Sequence, residues 1–211
     1  MGLTTQVQPV ILPVKGDVVD NDTAEFYDYW GIENYCSPKK VADVLNAANG
    51  APVNVEIASN GGDVFAGSEI YTSIKSYSEQ VLVKIVGIAA SAASVIAMAG
   101  DLILMSPTAQ MMVHNVTTYT EGDYRDMEHT AEVLKNANDT IANAYRIKSG
   151  KTQEELLAMM EEETGMTAQK AKELGLVDEV MFEESEVQLA ASAGLSQLLP
   201  PEVINTMRNK L

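Results

Sequence analysis

Cysteine is almost absent from this sequence: Cys36 is the single one among 211 residues. One cysteine cannot form an internal disulfide, and it cannot build a cysteine-based metal site. A reducing cytosol is therefore the expected compartment, and we predict a cytoplasmic protein. No histidine is near Cys36 in the sequence, so we interpret it as a structural or surface thiol.

Basic residues and aromatic residues are also scarce. Fourteen Lys and Arg stand against 30 Asp and Glu, which gives a net charge of -16. Such an acidic chain should repel nucleic acid and anionic lipid, so neither is an expected partner. Residues 1–10 lack the pattern of a signal peptide. The longest apolar run, residues 85–100, is too short and too rich in small residues to span a bilayer. Aromatics make up 6% of the chain, so aliphatic side chains and Met have to fill the core.

The remaining pattern alternates strands with helices. Short apolar segments predict strands at 10–19, 53–58, 81–86, 102–105, 111–114 and 176–182. Helical periodicity predicts helices at 37–48, 66–76, 89–99, 121–149, 153–160 and 167–174. Ser37 is the predicted cap of the first helix, with Pro38 at its first position and Asn49-Gly50 at its end, and Thr152 is the predicted cap of the helix at 153–160. Gly61 and Gly62 predict a tight turn, and Gly87 predicts the end of a strand. This alternation is typical of an α/β domain with a largely parallel sheet. We assign residues 1–184 to this domain and 185–211 to a C-terminal tail that is helical or partly disordered.

Two histidines limit the chemistry that the chain can perform. A serine hydroxyl needs an adjacent base, usually His, to become a nucleophile at neutral pH. His114 ends a predicted strand, which suits an active-site base; the alternative is a histidine that only satisfies local hydrogen bonds. His129 lies on the polar face of the long predicted helix, where solvation is the better interpretation.

Ser91 follows a predicted strand and begins a predicted buried helix. Free backbone N–H groups at such a junction can stabilise an oxyanion, and small neighbours allow a substrate to approach. The alternative is that Ser91 merely caps the helix, a common use of serine. The G-x-S-x-G motif is absent, which argues against an α/β-hydrolase. Gly61 and Gly62 offer further backbone donors, although an ordinary turn explains a Gly-Gly pair equally well.

Four motifs in order resemble the proteolytic subunit of Clp protease, and more closely its phage and prophage relatives proposed to act in head maturation. They are Ser59-Asn60-Gly61-Gly62, Gly87-Ile88-Ala89-Ala90-Ser91-Ala92, Met111-Met112-Val113-His114-Asn115 and Glu173-Leu174-Gly175-Leu176-Val177-Asp178. The resemblance covers residues 14–182. It implies a Clp/crotonase-like fold of repeated β-β-α units with a largely parallel sheet, in which the long helix at 121–149 is a protruding handle.

The resemblance also implies site residues. Ser91 corresponds to the nucleophile and His114 to the base, and the backbone amides of Gly62 and Ala92 correspond to the oxyanion hole. The third member of the family's triad is usually Asp, whereas the matching position here holds Glu163. Fallbacks for that role are Glu161, Glu162 and Asp178, of which Asp178 is better explained as a structural turn residue. The implied mechanism uses no metal and no other cofactor.

The partners implied by the resemblance are polypeptide substrates and further copies of the chain in stacked rings. Whether an AAA+ unfoldase docks on it is left open, and a phage enzyme could instead cut capsid or scaffold proteins. Two alternative functions are an inactive Clp-like assembly protein, which the change from Asp to Glu163 favours, and a crotonase-like thioester enzyme.

Overall fold

A computed structural model describes residues 8–183, so the predicted tail at 185–211 lies outside the described residues. The strands are β1 (Val10–Val18), β2 (Tyr35–Cys36), β3 (Val53–Gly62), β4 (Val81–Ala90), β5 (Leu102–Met105), β6 (Gln110–Met112), β7 (Gly165–Thr167) and β8 (Glu179–Val180). The helices are α1 (Asn21–Tyr29), α2 (Pro38–Ala48), α3 (Val64–Lys75), α4 (Ala92–Ala97), α5 (Tyr124–Ser149), α6 (Gln153–Glu161) and α7 (Ala168–Glu173).

The sheet runs in the order β2-β1-β3-β4-β5-β8, and each neighbouring pair in that path is parallel. Strand β6 pairs in parallel with the end of β4, and β7 pairs antiparallel with β6. The prediction of an α/β domain with a largely parallel sheet is confirmed.

The core is built from aliphatic side chains of the central strands. Ile57 of β3 and Ile85 of β4 are fully buried, and full burial of such a side chain contributes about 1.5–3 kcal/mol. Every residue of α4 is buried, as expected for a helix without a polar face. Cys36 is buried as well, so the structural interpretation of this thiol is confirmed and the surface interpretation is wrong.

Local sequence signals placed α2 accurately. The Ser37 side chain accepts a hydrogen bond from the Lys40 N–H, and Pro38 occupies the first helical position. Asn49 ends the helix in the left-handed conformation.

The predicted ends of the two central strands, β3 and β4, are wrong at their glycines. The predicted turn at 59–62 is wrong, because β3 continues through Gly62 and pairs with β1. The predicted break at Gly87 is wrong as well, because β4 continues to Ala90 after a register shift. Helix α4 therefore begins at Ala92 and not at Ala89. Pairing with neighbouring strands outweighs the weak strand propensity of glycine. The elements α1, β2 and β7 were not predicted.

Helix α5 is 26 residues long and is buried only near its C-terminal end, at Ile141, Ala142, Ala144 and Tyr145. It begins at Tyr124, three residues later than predicted, because Asp123 and Asp126 form a capping box there. The exposure of its first turns agrees with the predicted protruding handle. Within residues 8–183, no helix combines the length and apolarity needed to cross a membrane.

Candidate active site

A change of partner along β4 brings Ser91 and His114 to the same edge of the sheet. The first half of β4 pairs with β5, and after the register shift its end pairs with β6. Ala90 then lies opposite Met112, and the Ser91 N–H donates to the Met112 carbonyl at 3.1 Å. Because the two strands are parallel, the residues that follow them leave the sheet together.

The backbone of Ser91 has an unusual conformation, with φ of 54° and ψ of -130°. A positive φ is uncommon for a residue with a Cβ, and it persists only where surrounding contacts enforce it. The Ser91 side chain makes no capping hydrogen bond to α4. Ser91 occupies the N-cap position, but the alternative in which its hydroxyl caps the helix is wrong, and the hydroxyl is left for another use.

Gly61 and Gly62 bring the end of β3 against the Ser91 turn. Gly61 has φ of 95°, and a Cβ there would lie 2.6 Å from the Ala90 carbonyl oxygen and 2.7 Å from the Ser91 Cβ. Gly62 has φ of 148°, and a Cβ there would lie 2.1 Å from the Val18 carbonyl oxygen. Both positions therefore require glycine, for close approach as well as for backbone conformation.

One cavity of about 270 Å³ gathers four of the predicted site residues: Gly62, Ser91, Ala92 and His114. Its apolar wall comes mainly from α5 and includes Val133, Leu134, Ala137 and Ile141. Ala92 is the first residue of α4, where a backbone N–H has no acceptor within the helix. The cavity thus combines a hydroxyl, an imidazole and backbone donors with an apolar recess.

Backbone hydrogen bonds on both sides hold the segment that carries His114. The Val113 N–H donates to the Thr164 carbonyl, and the Asn115 N–H donates to the Met160 carbonyl, each at 3.2 Å. Within residues 8–183, the His114 imidazole forms no hydrogen bond with another residue, Ser91 included. The ring is half-buried beside the cavity.

The structure does not bring the Glu163 side chain into the cavity. Glu163 lies in the turn after α6, with φ of 50°, and its side chain is exposed. The described residues contain no hydrogen bond or ion pair between Glu163 and His114. Its backbone is nevertheless close in the fold, because the neighbouring residue Thr164 accepts the hydrogen bond from Val113. The role predicted for Glu163 stays a prediction.

Asp178 has a structural environment, as the sequence indicated. One of its carboxylate oxygens accepts hydrogen bonds from the Ile103 N–H at 2.7 Å and from Lys148 Nζ at 2.6 Å. It ties β5 and α5 to the start of β8. His129 is exposed on α5, in agreement with the solvated interpretation.

Sequence reasoning missed three residues that shape the site: Gly61, Ser94 and Tyr145. Gly61 was considered only as one half of a Gly-Gly pair. Ser94 Oγ lies 2.6 Å from the Ser91 carbonyl oxygen and 2.8 Å from the Tyr145 hydroxyl. The spacing of Ser91 and Ser94 within a buried helix was a usable signal, since a fully buried hydroxyl needs a partner. Nothing in the sequence pointed from Ser94 to Tyr145, 51 residues away.

The family model and the relatives that match this sequence all belong to the same family. A family model described as Clp protease matches residues 39–184. The ATP-dependent Clp protease proteolytic subunit of Bacteroides fragilis (strain NCTC 9343) is 32% identical over 137 residues, which cover 64% of this chain and 66% of that protein. The protein of the same name from Deinococcus radiodurans is 31% identical over 136 residues, which cover 64% of this chain and 67% of that protein.

ATP-dependent Clp protease proteolytic subunit 1 of Chlamydia abortus is 30% identical over 138 residues, which cover 63% of this chain and 71% of that protein. The chain spans just under two thirds of the length of the Bacteroides fragilis relatives, 66% and 62% for two strains. The range matched by the family model includes every predicted site residue and makes up more than half of the chain. The chain therefore belongs to the Clp protease family.

Proposed function

We propose that the chain is a serine endopeptidase of the Clp proteolytic-subunit type. The observation that carries the proposal is the Ser91 turn: a serine at positive φ, whose hydroxyl makes no capping hydrogen bond, beside the same cavity as His114. Family membership and the names of the relatives support the reaction class.

In the proposed mechanism His114 takes the proton of the Ser91 hydroxyl, which attacks the carbonyl carbon of a peptide bond. The N–H groups of Gly62 and Ala92 stabilise the oxyanion of the tetrahedral intermediate, and loss of one such donor typically costs about 3 kcal/mol of activation free energy. His114 then protonates the leaving amine, and water hydrolyses the acyl-enzyme with His114 again as base. Glu163 orients the imidazole, which requires its side chain to turn inward when substrate or a second subunit is bound.

The substrate is an unfolded or extended polypeptide. The α5 wall of the cavity bears no side chain that is charged at neutral pH, which suits an apolar substrate residue next to the cleaved bond. Asp63 also lines the cavity, but its carboxylate accepts the Ala66 N–H at 2.7 Å as the cap of α3. Capsid or scaffold proteins of a phage are the proposed physiological targets, following the resemblance to phage relatives.

The working form is a homo-oligomer of stacked rings. The exposed first turns of α5 carry apolar side chains, Tyr124 at 71% and Met127 at 41% exposure, which a contact between rings would cover. The names of the relatives associate those proteins with ATP dependence. By analogy an AAA+ unfoldase is a proposed partner. Light scattering on the purified chain tests the assembly, and a monomeric mass would contradict it.

The decisive experiment is labelling with a fluorophosphonate probe, which reacts with activated serines. We expect the wild-type chain to be labelled at Ser91, and both Ser91→Ala and His114→Asn to lose labelling. Ser73→Ala, a partly exposed serine of α3 outside the cavity, is the matched control and should label normally. Labelling of Ser91→Ala at the wild-type level would refute the assignment.

An inactive assembly protein is the second candidate, and the exposed position of Glu163 favours it. Cleavage of casein or a fluorogenic peptide by the purified chain separates the two. Glu163→Gln, compared with Glu161→Gln and Glu162→Gln, tests which acid acts. A chain that hydrates a coenzyme A thioester and cleaves no peptide would instead indicate a crotonase-like activity.

A further inference from the structure

A chain of buried hydrogen bonds lies behind the Ser91 turn. Ser94 of α4 and Tyr145 of α5 are 0% and 1% exposed. Ser94 Oγ lies 2.8 Å from the Tyr145 hydroxyl oxygen and 2.6 Å from the Ser91 carbonyl oxygen. The mechanism above assigns no role to either side chain.

The direction of this chain follows from the number of protons available. A carbonyl oxygen only accepts, so the single Ser94 hydroxyl proton goes to the Ser91 carbonyl. Tyr145 therefore donates its proton to Ser94 Oγ. Burial raises the pKa of Tyr145 to about 12, so the phenol keeps that proton throughout the neutral range. Two linked hydrogen bonds of this kind strengthen one another.

The Ser91 carbonyl and the Ala92 N–H are opposite ends of one planar peptide group. Any contact that fixes the direction of the carbonyl also fixes the direction of the amide. Local preference does not hold this peptide in place, because the φ of 54° and ψ of -130° at Ser91 together lie outside the regions that a residue with a Cβ normally adopts. Besides the Ser94 hydroxyl, the carbonyl accepts the N–H groups of Ser94 and Val95, at 2.9 and 3.3 Å. The side-chain bond is the shortest of the three.

We propose that Ser94 and Tyr145 are positioning residues that orient the Ala92 amide toward the oxyanion of the reaction. This inference rests on the proposed function and adds that α5, which forms the apolar wall of the cavity, also sets an oxyanion donor. Tyr145 also lines the cavity, so in this scheme α5 contacts the substrate side chain and orients the amide that stabilises the oxyanion. Neither residue touches the reacting atoms in this scheme.

The test compares Tyr145→Phe, Ser94→Ala and the double variant with the wild-type chain on a fluorogenic peptide. A peptide aldehyde that forms a hemiacetal with Ser91 serves as a mimic of the tetrahedral state. Loss of a whole oxyanion donor lowers kcat by about 100- to 1000-fold, so a misdirected donor should lower it by roughly tenfold. We expect this loss for Ser94→Ala and a smaller loss, about threefold, for Tyr145→Phe, since Ser94 can still donate there.

Three further results are expected if the residues act by positioning. KM changes by less than about twofold, because ground-state binding does not use the oxyanion donors. Aldehyde affinity falls by the same factor as kcat. The double variant is no worse than Ser94→Ala, because both side chains act through the one Ser94 hydrogen bond.

Tyr77→Phe is the matched control. Its hydroxyl also donates to a backbone carbonyl, that of Ala51 at 2.8 Å, outside the cavity. It should lower the melting temperature as Tyr145→Phe does and leave kcat unchanged. If Ser94→Ala does not fold, Tyr145→Phe decides, since it removes only a hydroxyl.

Unchanged kcat in the folded Tyr145→Phe and Ser94→Ala variants overturns the inference and leaves the proposed function standing. A fall in kcat without weaker aldehyde binding also overturns it, because the loss would then lie outside the oxyanion interaction. A wild-type chain that neither cleaves peptide nor reacts with fluorophosphonate overturns the proposed function and this inference with it.

Discussion

Replacing Gly61 with alanine should damage the site while leaving every proposed catalytic group in the sequence. The added Cβ would lie 2.6 Å from the Ala90 carbonyl oxygen, 2.7 Å from the Ser91 Cβ and 2.8 Å from the Ala92 backbone nitrogen. Real Cβ atoms essentially never come closer than 3.0 Å to such atoms, so β3 and the Ser91 turn must separate by about 0.4 Å. All three neighbours are fixed by the backbone and cannot rotate away.

Two magnitudes follow for Gly61→Ala. A residue with a Cβ at φ of 95° costs about 1–3 kcal/mol of folding free energy before any clash is counted. A misplacement of about 1 Å in an active site costs roughly 100-fold in rate, so a shift of about half that size should cost about tenfold. We expect kcat/KM for a fluorogenic peptide to fall about tenfold and urea unfolding to shift to lower concentration.

Gly165→Ala is the control for that experiment, since a Cβ at Gly165 would meet nothing within 4 Å and the residue does not have a positive φ. It should retain the wild-type rate. Fluorophosphonate labelling at a temperature where both variants are folded separates misplacement of Ser91 from loss of folded protein. If Gly61→Ala is folded and reacts at the same rate as Gly165→Ala, the close packing of β3 on the Ser91 turn does not affect activity, and the prediction is refuted.

Three other predictions concern stability and specificity. Asp178→Ala should lower the free energy of unfolding by about 1–3 kcal/mol, because it leaves the mostly buried Lys148 ammonium without its partner. Turnover by the folded enzyme should stay unchanged. Urea unfolding measures the first effect and a peptide-cleavage assay the second. Burial raises the pKa of Cys36 from 9.0 and that of Tyr145 from 10.0, each to about 12, so the unfolded chain releases these protons first. The stability that these two protonated groups contribute is present in full below pH 9 and is lost between pH 9 and pH 12. The free energy of unfolding, measured with urea, should therefore fall less between pH 8 and pH 11 for Tyr145→Phe than for the wild type. Ala137→Glu, which puts a carboxylate into the apolar wall of the cavity, should reduce cleavage after large apolar residues far more than labelling by a small fluorophosphonate; equal losses would mean that this wall does not hold the substrate side chain.

The pattern of apolar residues predicted most of the secondary structure. The cap at Ser37, the proline at the first helical position and Asn49 at the end predicted α2 within one residue, since these signals act over a few neighbouring residues. The same holds for Thr152, whose side chain forms a capping box with Glu155 at the start of α6. Both central strands were placed correctly at their starts and cut short at their glycines.

The site was predictable in part for a different reason. With two histidines in the sequence, few bases were available, and the order of four motifs singled out Ser91, His114, Gly62 and Ala92. These four residues line one cavity. Glu163 was found by counting along the chain, and such counting fixes the position of a backbone segment but not the direction of a side chain.

The sequence by itself determined the alternation of strands and helices, the small set of candidate catalytic groups and the membership of a family. The tertiary structure decided how β4 leaves β5 to pair with β6, a register choice that depends on strands distant in the chain. It also decided that Ser91 takes a positive φ and that Tyr145 reaches Ser94 across 51 residues. Helix caps and hydrophobic periodicity act between residues that are close together in the sequence. The geometry of a nucleophile and its oxyanion donors depends instead on contacts between segments that are far apart in the sequence.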